Sequence, residues 1–538
     1  MDALQNNPPV NMPPLAERNV SSVMRRALAE HPDKMAVRDE ERALTYRGLV
    51  DAALVMAGGF GKLGVGRQQS VLLMLDNHLD FVVAWIALSL SARVEVPVNT
   101  AYRAAILAHV VNNCGAEVMV IEDVYCARLA EIAGQLANLK KVVVRGDATA
   151  LKMPDHIEVL SFSALEGVRE EIAHVDPWDL VGIMYTSGTT GLSKGVRVTH
   201  AHAYGYCSPA VYTVATEDDV NLVLLPLFHV GGQWAGVYNA LIAGGSAVVL
   251  PRFSATQFWD QARAYGCTNT LLLGAMASFL YRQPRLPNDA EQPLKCILMV
   301  PVMPELEDFK ARFGVERVGT GFGSTEASTI LRAPPGAAIP DQAGWLREDV
   351  QIRVVDANDM DVAPGSTGEM LVRSTEPWTI MDGYHAMPDA TVAAWRNLWF
   401  HTGDVVRQDL TTGQYVFVDR SKDALRRRGE NVSSFEVERE ILEHPDVLEC
   451  AIVAVPSDAS EDDIKACVVL KEGATLEGAA LLDFLLPRLP DFMVPRYVEF
   501  LAQLPKTPTE KIRKAELRAA GVTAATWDRE DVGYRVRR

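Results

Sequence analysis

The chain has 538 residues, 48% hydrophobic and 22% charged, with Lys plus Arg at 52 against Asp plus Glu at 69. At roughly 150 residues per domain it is a multidomain protein with ample material for buried cores, and its composition excludes disorder, collagen and coiled coil as overall descriptions. The formal charge of −17 repels nucleic acid and anionic lipid, so an anionic ligand has to be held by a local basic patch.

Residues 1–18 read as a loose, Pro-rich arm without a basic region followed by an apolar one, so no signal peptide is expected. Short apolar strands then alternate with helix-length segments. VLLML (71–75) is followed by a helix from Asp80 to Leu90, then by EVMVIED (117–123) and KVVVR (141–145). A second series is expected from VGIMYTSG (181–188) through VNLVLLP, SAVVLPR, NTLLLG and KCILMV to VERVGTGFG (315–323). This alternation predicts two α/β lobes built from βαβ units. From Val350 to Arg420 short strands between Gly, Asn and Asp turns predict an antiparallel β subdomain. After it come helix, strand and hairpin signals and a basic helix expected to start at Lys511. The fold class is therefore α/β. A large domain (19–420) carries two βαβ lobes and an antiparallel β subdomain, and a small mobile α+β domain (421–538) follows. The apolar stretch Phe81–Leu90 is too short to span a bilayer, and seven scattered cysteines without a CxxC pair fit a reducing, cytoplasmic compartment.

The densest chemical signal is YTSGTTGLSKG, Tyr185 to Gly195. It places three glycines, five Ser or Thr hydroxyls and one lysine in eleven residues directly after an apolar strand. Backbone N–H groups and hydroxyls of Thr186, Ser187, Gly188, Thr189, Thr190 and Gly191 can cradle a polyphosphate, with Lys194 adding point charge. It is not a Walker A loop, because two residues separate Gly191 from Lys194.

This loop resembles the signature of the adenylate-forming superfamily of acyl-CoA synthetases, adenylation domains and luciferases. GFGSTE (321–326), GYHAMPDAT (383–391), WFHTGD (399–404), DRSKDALRRRGENVSSFEVE (419–438) and LPKTPTEKIRK (504–514) follow in the family's order. The RRRGENVSS wording and PTEK are most similar to the crotonobetaine/carnitine–CoA ligase-like branch. The resemblance implies Glu326 as a Mg²⁺ ligand, Thr325 on the α-phosphate and Phe322, beside Gly323, as the flat face for adenine. It implies Asp404 on the ribose hydroxyls and Lys422 as the hinge about which the small domain turns, while Arg420, following the apolar strand YVFV, can reach ribose or phosphate as a rigid donor fork. Lys511 is the implied lysine that bridges carboxylate and nucleotide. Taken alone, Glu326 reads equally as a surface glutamate, Asp404 as a turn residue and the 419–423 segment as a solvated charge run. Three departures from the family pattern stand out: Ser193 where proline is common, Glu510 where many members have glycine, and VPVMPE (300–305) in place of a segment of small residues.

PLFHVGGQWAG (226–236) is expected to line the acyl side; His229 resembles the family's mobile histidine and reads nearly equally as a satisfied structural one, and Trp234, Tyr238 and Met276 are candidate pocket walls. Core packing is the stronger prior for those three walls. Arg426, Arg427 and Arg428 beside Gly429 form the basic cluster expected to hold the phosphates of coenzyme A. The expected reaction is ATP-dependent acid–CoA ligation, with ATP, Mg²⁺ and CoA as cofactors and a small carboxylic acid as substrate. Neither nucleic acid nor an integral membrane contact is expected, and a homodimer is common for enzymes of this size. Loading of a carrier protein's phosphopantetheine, a luciferase-like oxygenase and a non-catalytic nucleotide-binding protein stay open; the absence of Asp from Phe228-His229-Val230 argues against amino acids.

Overall fold

The computed structural model describes residues 10–186, 193–212, 215–420, 425–427, 430–432, 434–456, 462–489, 493–507 and 510–534. The chain divides into two compact units, one of residues 1–352, 372–401 and 411–415, the other of 353–371, 402–410 and 416–538.

Two sheets form the first unit. One has eight strands in the order Gly383–Tyr384, Lys194–Thr199, Leu180–Thr186, Val94–Pro97, Ser70–Met74, Val118–Glu122, Lys141–Arg145 and Glu158–Ser161. Its strands run parallel from Leu180–Thr186 to Glu158–Ser161, and the strands Lys194–Thr199 and Gly383–Tyr384 are antiparallel additions at one edge. The central strands are near-continuous apolar runs because both of their faces are covered. The helix Leu79–Leu90 is buried at every position but Asp80, so it is apolar all round rather than amphipathic. His78 caps it by accepting the N–H of Asp80 on Nδ1 at 3.1 Å.

The second sheet has nine strands in the order Trp345–Leu346, Ser328–Ala333, Arg317–Ser324, Cys296–Val300, Asn269–Leu273, Val220–Val223, Ser246–Val249, Met35–Arg38 and Ala43–Thr45. Two features differ from the sequence reading. The strand Leu180–Thr186 joins the first sheet, beside Val94–Pro97, instead of opening the second series. Residues 10–18 of the expected loose arm are packed: Val10 and Met12 lie against Val211, Tyr212 and Leu298, and buried Arg18 holds Glu376 with both terminal nitrogens. Neither choice is local, since strand partners and the docking of an arm depend on surfaces distant in sequence.

Glu95 links the two layers. It sits fully buried on the strand Val94–Pro97 and receives Gln233 Nε2 on both carboxyl oxygens at 2.8 Å, Gln233 opening the π-helical segment Gln233–Tyr238. Burial pushes the Glu95 carboxyl up to about 8, against a smaller lowering by Gln233. The folded protein therefore holds a proton there that the unfolded chain has released, so stability falls as pH rises from the ordinary carboxylate range to about 8. We expect Glu95→Gln to remove this slope and to stabilise the protein at pH 8 by on the order of 1–3 kcal/mol relative to pH 5. Denaturant unfolding of both proteins at the two pH values measures it.

In the second unit the strands Val447–Pro456, Asp462–Leu470, Tyr497–Phe500 and Trp527–Asp528 form a sheet. Its apolar face packs with the helices Ser434–Leu442 and Gly478–Leu485 through Val437, Ile441, Ile452, Ile464 and Leu482. Buried Lys465 and Glu499 are paired, and Thr523 and Thr526 each donate to Glu499 at 2.9 Å, so neither charge is left uncompensated. Val350–Val355, Gly368–Ser374, Phe400–Gln408 and Tyr415–Arg420 make the four-stranded sheet expected between 350 and 420. All seven cysteines are buried free thiols. Among the described residues no helix is long and apolar enough to cross a membrane.

Candidate active site

The phosphate-loop candidate connects an antiparallel hairpin. Leu180–Thr186 pairs with Lys194–Thr199 in a register that sets Thr186 opposite Lys194, so both ends of the loop are fixed to the sheet. Ser187, Gly188, Thr189, Thr190 and Gly191 lie outside the described residues. The exit of the loop is anchored at Ser193, whose carbonyl faces His109 Nε2 at 2.8 Å and whose hydroxyl lies 3.5 Å from Tyr102 OH. Side-chain contacts here do what a proline at Ser193 would do through its ring.

A second tight turn brings the carboxylate. The strands Arg317–Ser324 and Ser328–Ala333 pair closely, with a register shift between Phe322 and Gly323, and the turn between them carries Thr325 and Glu326. Phe322 is half-buried, Gly323 exposed and Thr325 buried. Glu326 Oε1 accepts from Thr186 Oγ1 at 3.4 Å and from Tyr384 OH at 3.2 Å. Lys194 Nζ lies 4.7 Å from the centre of the Tyr384 ring. The structure thus gathers Thr186, Lys194, Glu326 and Tyr384 where the phosphate loop begins and ends.

Tyr384 was not among the sequence candidates, although the quoted GYHAMPDAT segment contains it. What places it is the pairing of Gly383–Tyr384 with Arg197 and Val196, a contact no local pattern signals. Burial, reinforced by the Glu326 carboxylate, pushes the Tyr384 hydroxyl far above its ordinary range, so it remains a donor. We expect Tyr384→Phe to lower kcat for adenylation about tenfold, as loss of one hydrogen bond to a charged group implies, with an unchanged melting temperature. Steady-state pyrophosphate release and a thermal melt check both halves.

The acyl-side candidates separate. Half-buried His229 caps the short helix Val230–Gly232, its Nδ1 accepting the N–H of Gly231 at 3.1 Å. Trp234 and Tyr238 are fully buried in an aromatic cluster, Trp234 with Tyr206 at 5.6 Å and Tyr238 with Trp85 at 5.7 Å between ring centres. Met276 is buried in the core around Leu272, Ile297 and Phe309. These three are packing residues rather than open pocket walls, because apolar side chains on these elements are consumed by helix–sheet contacts.

The remaining candidates belong to the second unit. Asp404 is 3% exposed and lies within the nine-residue strand Phe400–Gln408 rather than at its end. A left-handed Gly403 (φ 70°) turns the chain there, held by Thr402 Oγ1 donating to Met370 O at 2.7 Å and Gly403 N–H donating to Glu369 Oε1 at 3.1 Å. Arg420 ends the strand Tyr415–Arg420, and Arg426 and Arg427 lie in Leu425–Arg427. Lys422, Arg428 and Gly429 are outside the described residues. Lys511 does not begin a helix. It sits on a loop ahead of Lys514–Ala520, closed by Thr507 N–H donating to Lys511 O at 2.8 Å and by a bridge between Lys506 and Ile512. Glu510, the residue found in place of glycine, adopts a left-handed φ of 59° and pairs with Lys506 at 3.2 Å. That conformation costs a residue with a Cβ about 1 kcal/mol.

Glu326 fits a magnesium site. Both of its hydrogen bonds among the described residues fall on Oε1, which leaves Oε2 open there, and the ion is commonly held by one or two carboxylates together with substrate phosphates. Among the described residues no cluster of three or more His, Cys, Asp or Glu side chains could hold a metal by itself.

Two α/β sheets with Thr186, Lys194 and Glu326 gathered at the glycine-rich hairpin of the first unit are the features of an adenylate-forming enzyme. The chain belongs to the AMP-binding enzyme family: that family's model matches residues 24–385, and the AMP-binding enzyme C-terminal domain matches 436–511. It is similar to the crotonobetaine/carnitine–CoA ligase of Salmonella enteritidis PT4, with 30% identity over 89% of this chain and 93% of the relative. In structure it resembles the anthranilate CoA ligase AuaEII in complex with anthranoyl-AMP (TM-score 0.83, 24% identity, 97% of this chain and 99% of that one). A benzoate CoA ligase from Burkholderia xenovorans LB400 also shares the fold (TM-score 0.81, 24% identity, 93% and 99% covered).

Proposed function

We infer that the protein is an ATP-dependent acid–CoA ligase acting on a small carboxylic acid. The observation that carries this reading is the convergence of Thr186, Lys194, Glu326 and Tyr384 at the mouth of the phosphate loop, within a chain whose relatives are acid–CoA ligases. In the first half-reaction a carboxylate oxygen attacks the α-phosphorus of ATP, and pyrophosphate leaves with the electron pair of the broken P–O bond. In the second the CoA thiol, losing its proton, attacks the acyl carbon and AMP departs. Adenylation turns a poor leaving group into a good one, so the protein's task is positioning and charge stabilisation.

Lys194 and the loop hydroxyls hold the β- and γ-phosphates, and Thr325 donates to the α-phosphate. Phe322 and Gly323 form the adenine face. Asp404 and Arg420 take the ribose, and Lys511 stabilises charge on the pentacoordinate phosphorus. Glu326 would hold Mg²⁺, which neutralises phosphate charge when bound. His229 borders the acid, and Arg426, Arg427, Arg428 and Gly429 receive the CoA phosphates after the domain of residues 421–538 turns about Lys422. The same reading places the enzyme in the cytoplasm, in keeping with its buried free thiols, and a homodimer is common for soluble enzymes of this size. The test is acid-dependent pyrophosphate release from ATP and Mg²⁺, with thioester formation when CoA is added, across a panel of carboxylic acids. Thioester formed on a carrier protein but not on CoA overturns the acceptor, and ATP binding without turnover on any acid overturns the reaction.

A further inference from the structure

One interior cavity of the first unit is bordered by buried amide side chains that the reaction does not explain. Its volume is about 20 Å³, and Tyr212, Asn221, Gly236, Asn239, Thr270 and Leu298 border it. It lies between the helical segment that continues from His229 and the parallel strands Val220–Val223, Asn269–Leu273 and Cys296–Val300. Tyr212 also lies against the strand that ends in the Thr325–Glu326 turn: a Cβ at Gly321 would stand 2.7 Å from its Cε1. The cavity therefore borders the segment that continues from His229, the residue proposed to border the acid.

Asn221 is 5% exposed, and its Nδ2 donates to Gly236 O at 3.0 Å and to Asn239 Oδ1 at 3.2 Å. Asn239 Nδ2 is occupied in turn by Cys207 O at 2.7 Å, which fixes the orientation of both amides. Asn221 Oδ1 is buried and has no partner among the described residues. A buried carbonyl left in that state is destabilising, and a donor in the cavity would satisfy it. The far side is closed by Tyr212 and Leu298, backed by Val10 and Met12 of the N-terminal segment, so the depth is limited.

We propose that this cavity receives the far end of the acid, that Asn221 is a specificity-determining residue, and that the substrate is an acid ending in a hydroxyl. The proposal rests on the ligase reading above. The space admits one small polar group, and the residues named around it carry no charge to balance an ammonium, whose burial would be costly. A site whose buried acceptor needs a donor discriminates strongly against the analogue lacking it.

The experiment compares kcat/KM of the full-length enzyme, by pyrophosphate release, for aliphatic and aromatic acids paired as hydroxyl-terminated and methyl-terminated forms of equal length. The expected result is at least a tenfold preference for the best hydroxy acid over its methyl partner, lost or reversed in Asn221→Val. The wild-type comparison needs no variant, so it decides the matter even where Asn221→Val fails to fold. Equal rates within every pair, or a preference that persists in a folded Asn221→Val, would overturn the assignment and leave the cavity to a structural water. Release from no acid at all would overturn the ligase reading with it.

Discussion

Lys511→Ala is expected to lower acid-dependent pyrophosphate release by about 10²–10³-fold while leaving the thermal melt unchanged. Lys511 is on a loop, so its backbone geometry is set by neighbours: Thr507 receives the Lys511 N–H on Oγ1 at 3.1 Å and donates its own N–H to the Lys511 carbonyl at 2.8 Å. Truncating the side chain leaves both bonds intact. On the proposed reading, what disappears is a cation that matters only while negative charge accumulates on phosphorus, so kcat should fall far more than the apparent affinity for ATP. The second half-reaction supplies the control. Preformed acyl-adenylate with CoA should give thioester at close to the wild-type rate, because the lysine has no charge to stabilise there. A variant equally slow in both half-reactions would show that Lys511 acts on the fold and not on phosphoryl transfer.

Gly323→Ala is expected to cost more than twofold-scale tuning could explain: a rate loss of at least about 10² and a destabilisation of about 1–3 kcal/mol. A Cβ at this position would stand 2.3 Å from the Ser328 carbonyl oxygen and 2.9 Å from Thr329 Cα. Both are backbone atoms of the paired strand, so neither can rotate away as a side-chain end would. Ser328 already has a left-handed φ of 63°, and Ala327 N–H is held by Ser324 Oγ at 3.1 Å, which leaves the turn little slack. Relief has to come from opening the hairpin, which moves Thr325 and Glu326 away from Thr186 and Tyr384. Denaturant unfolding and pyrophosphate release on the same preparation measure the two effects. Full activity would mean that the register shift at Phe322 absorbs the methyl group.

The motifs carried a large part of this site. The Thr186–Lys194 loop and the Thr325–Glu326 turn are each contiguous in sequence, and their residue types suggest their chemistry. Tyr384 escaped notice because a tyrosine in a Gly-rich turn has no distinctive local pattern; only its pairing with Val196 and Arg197 brings its hydroxyl to Glu326. For Trp234 and Tyr238, candidate pocket walls with core packing as the stronger prior, helix–sheet packing takes both into an aromatic core.

Sequence by itself determined the alternation of strands and helices, the break in pattern after Val350, the places of the glycine-rich candidate loop and of Glu326, and the class of reaction. These are properties of periodicity and of short motifs, where neighbours along the chain suffice. Tertiary structure alone decided which sheet receives Leu180–Thr186, that residues 10–18 pack instead of trailing, and that Lys511 stands on a loop and not on a helix. It also decided that Glu95 and the amide of Asn221 are buried. Each of these depends on which surfaces meet across hundreds of residues, and so on the burial of apolar area and the pairing of backbone groups that no local window contains.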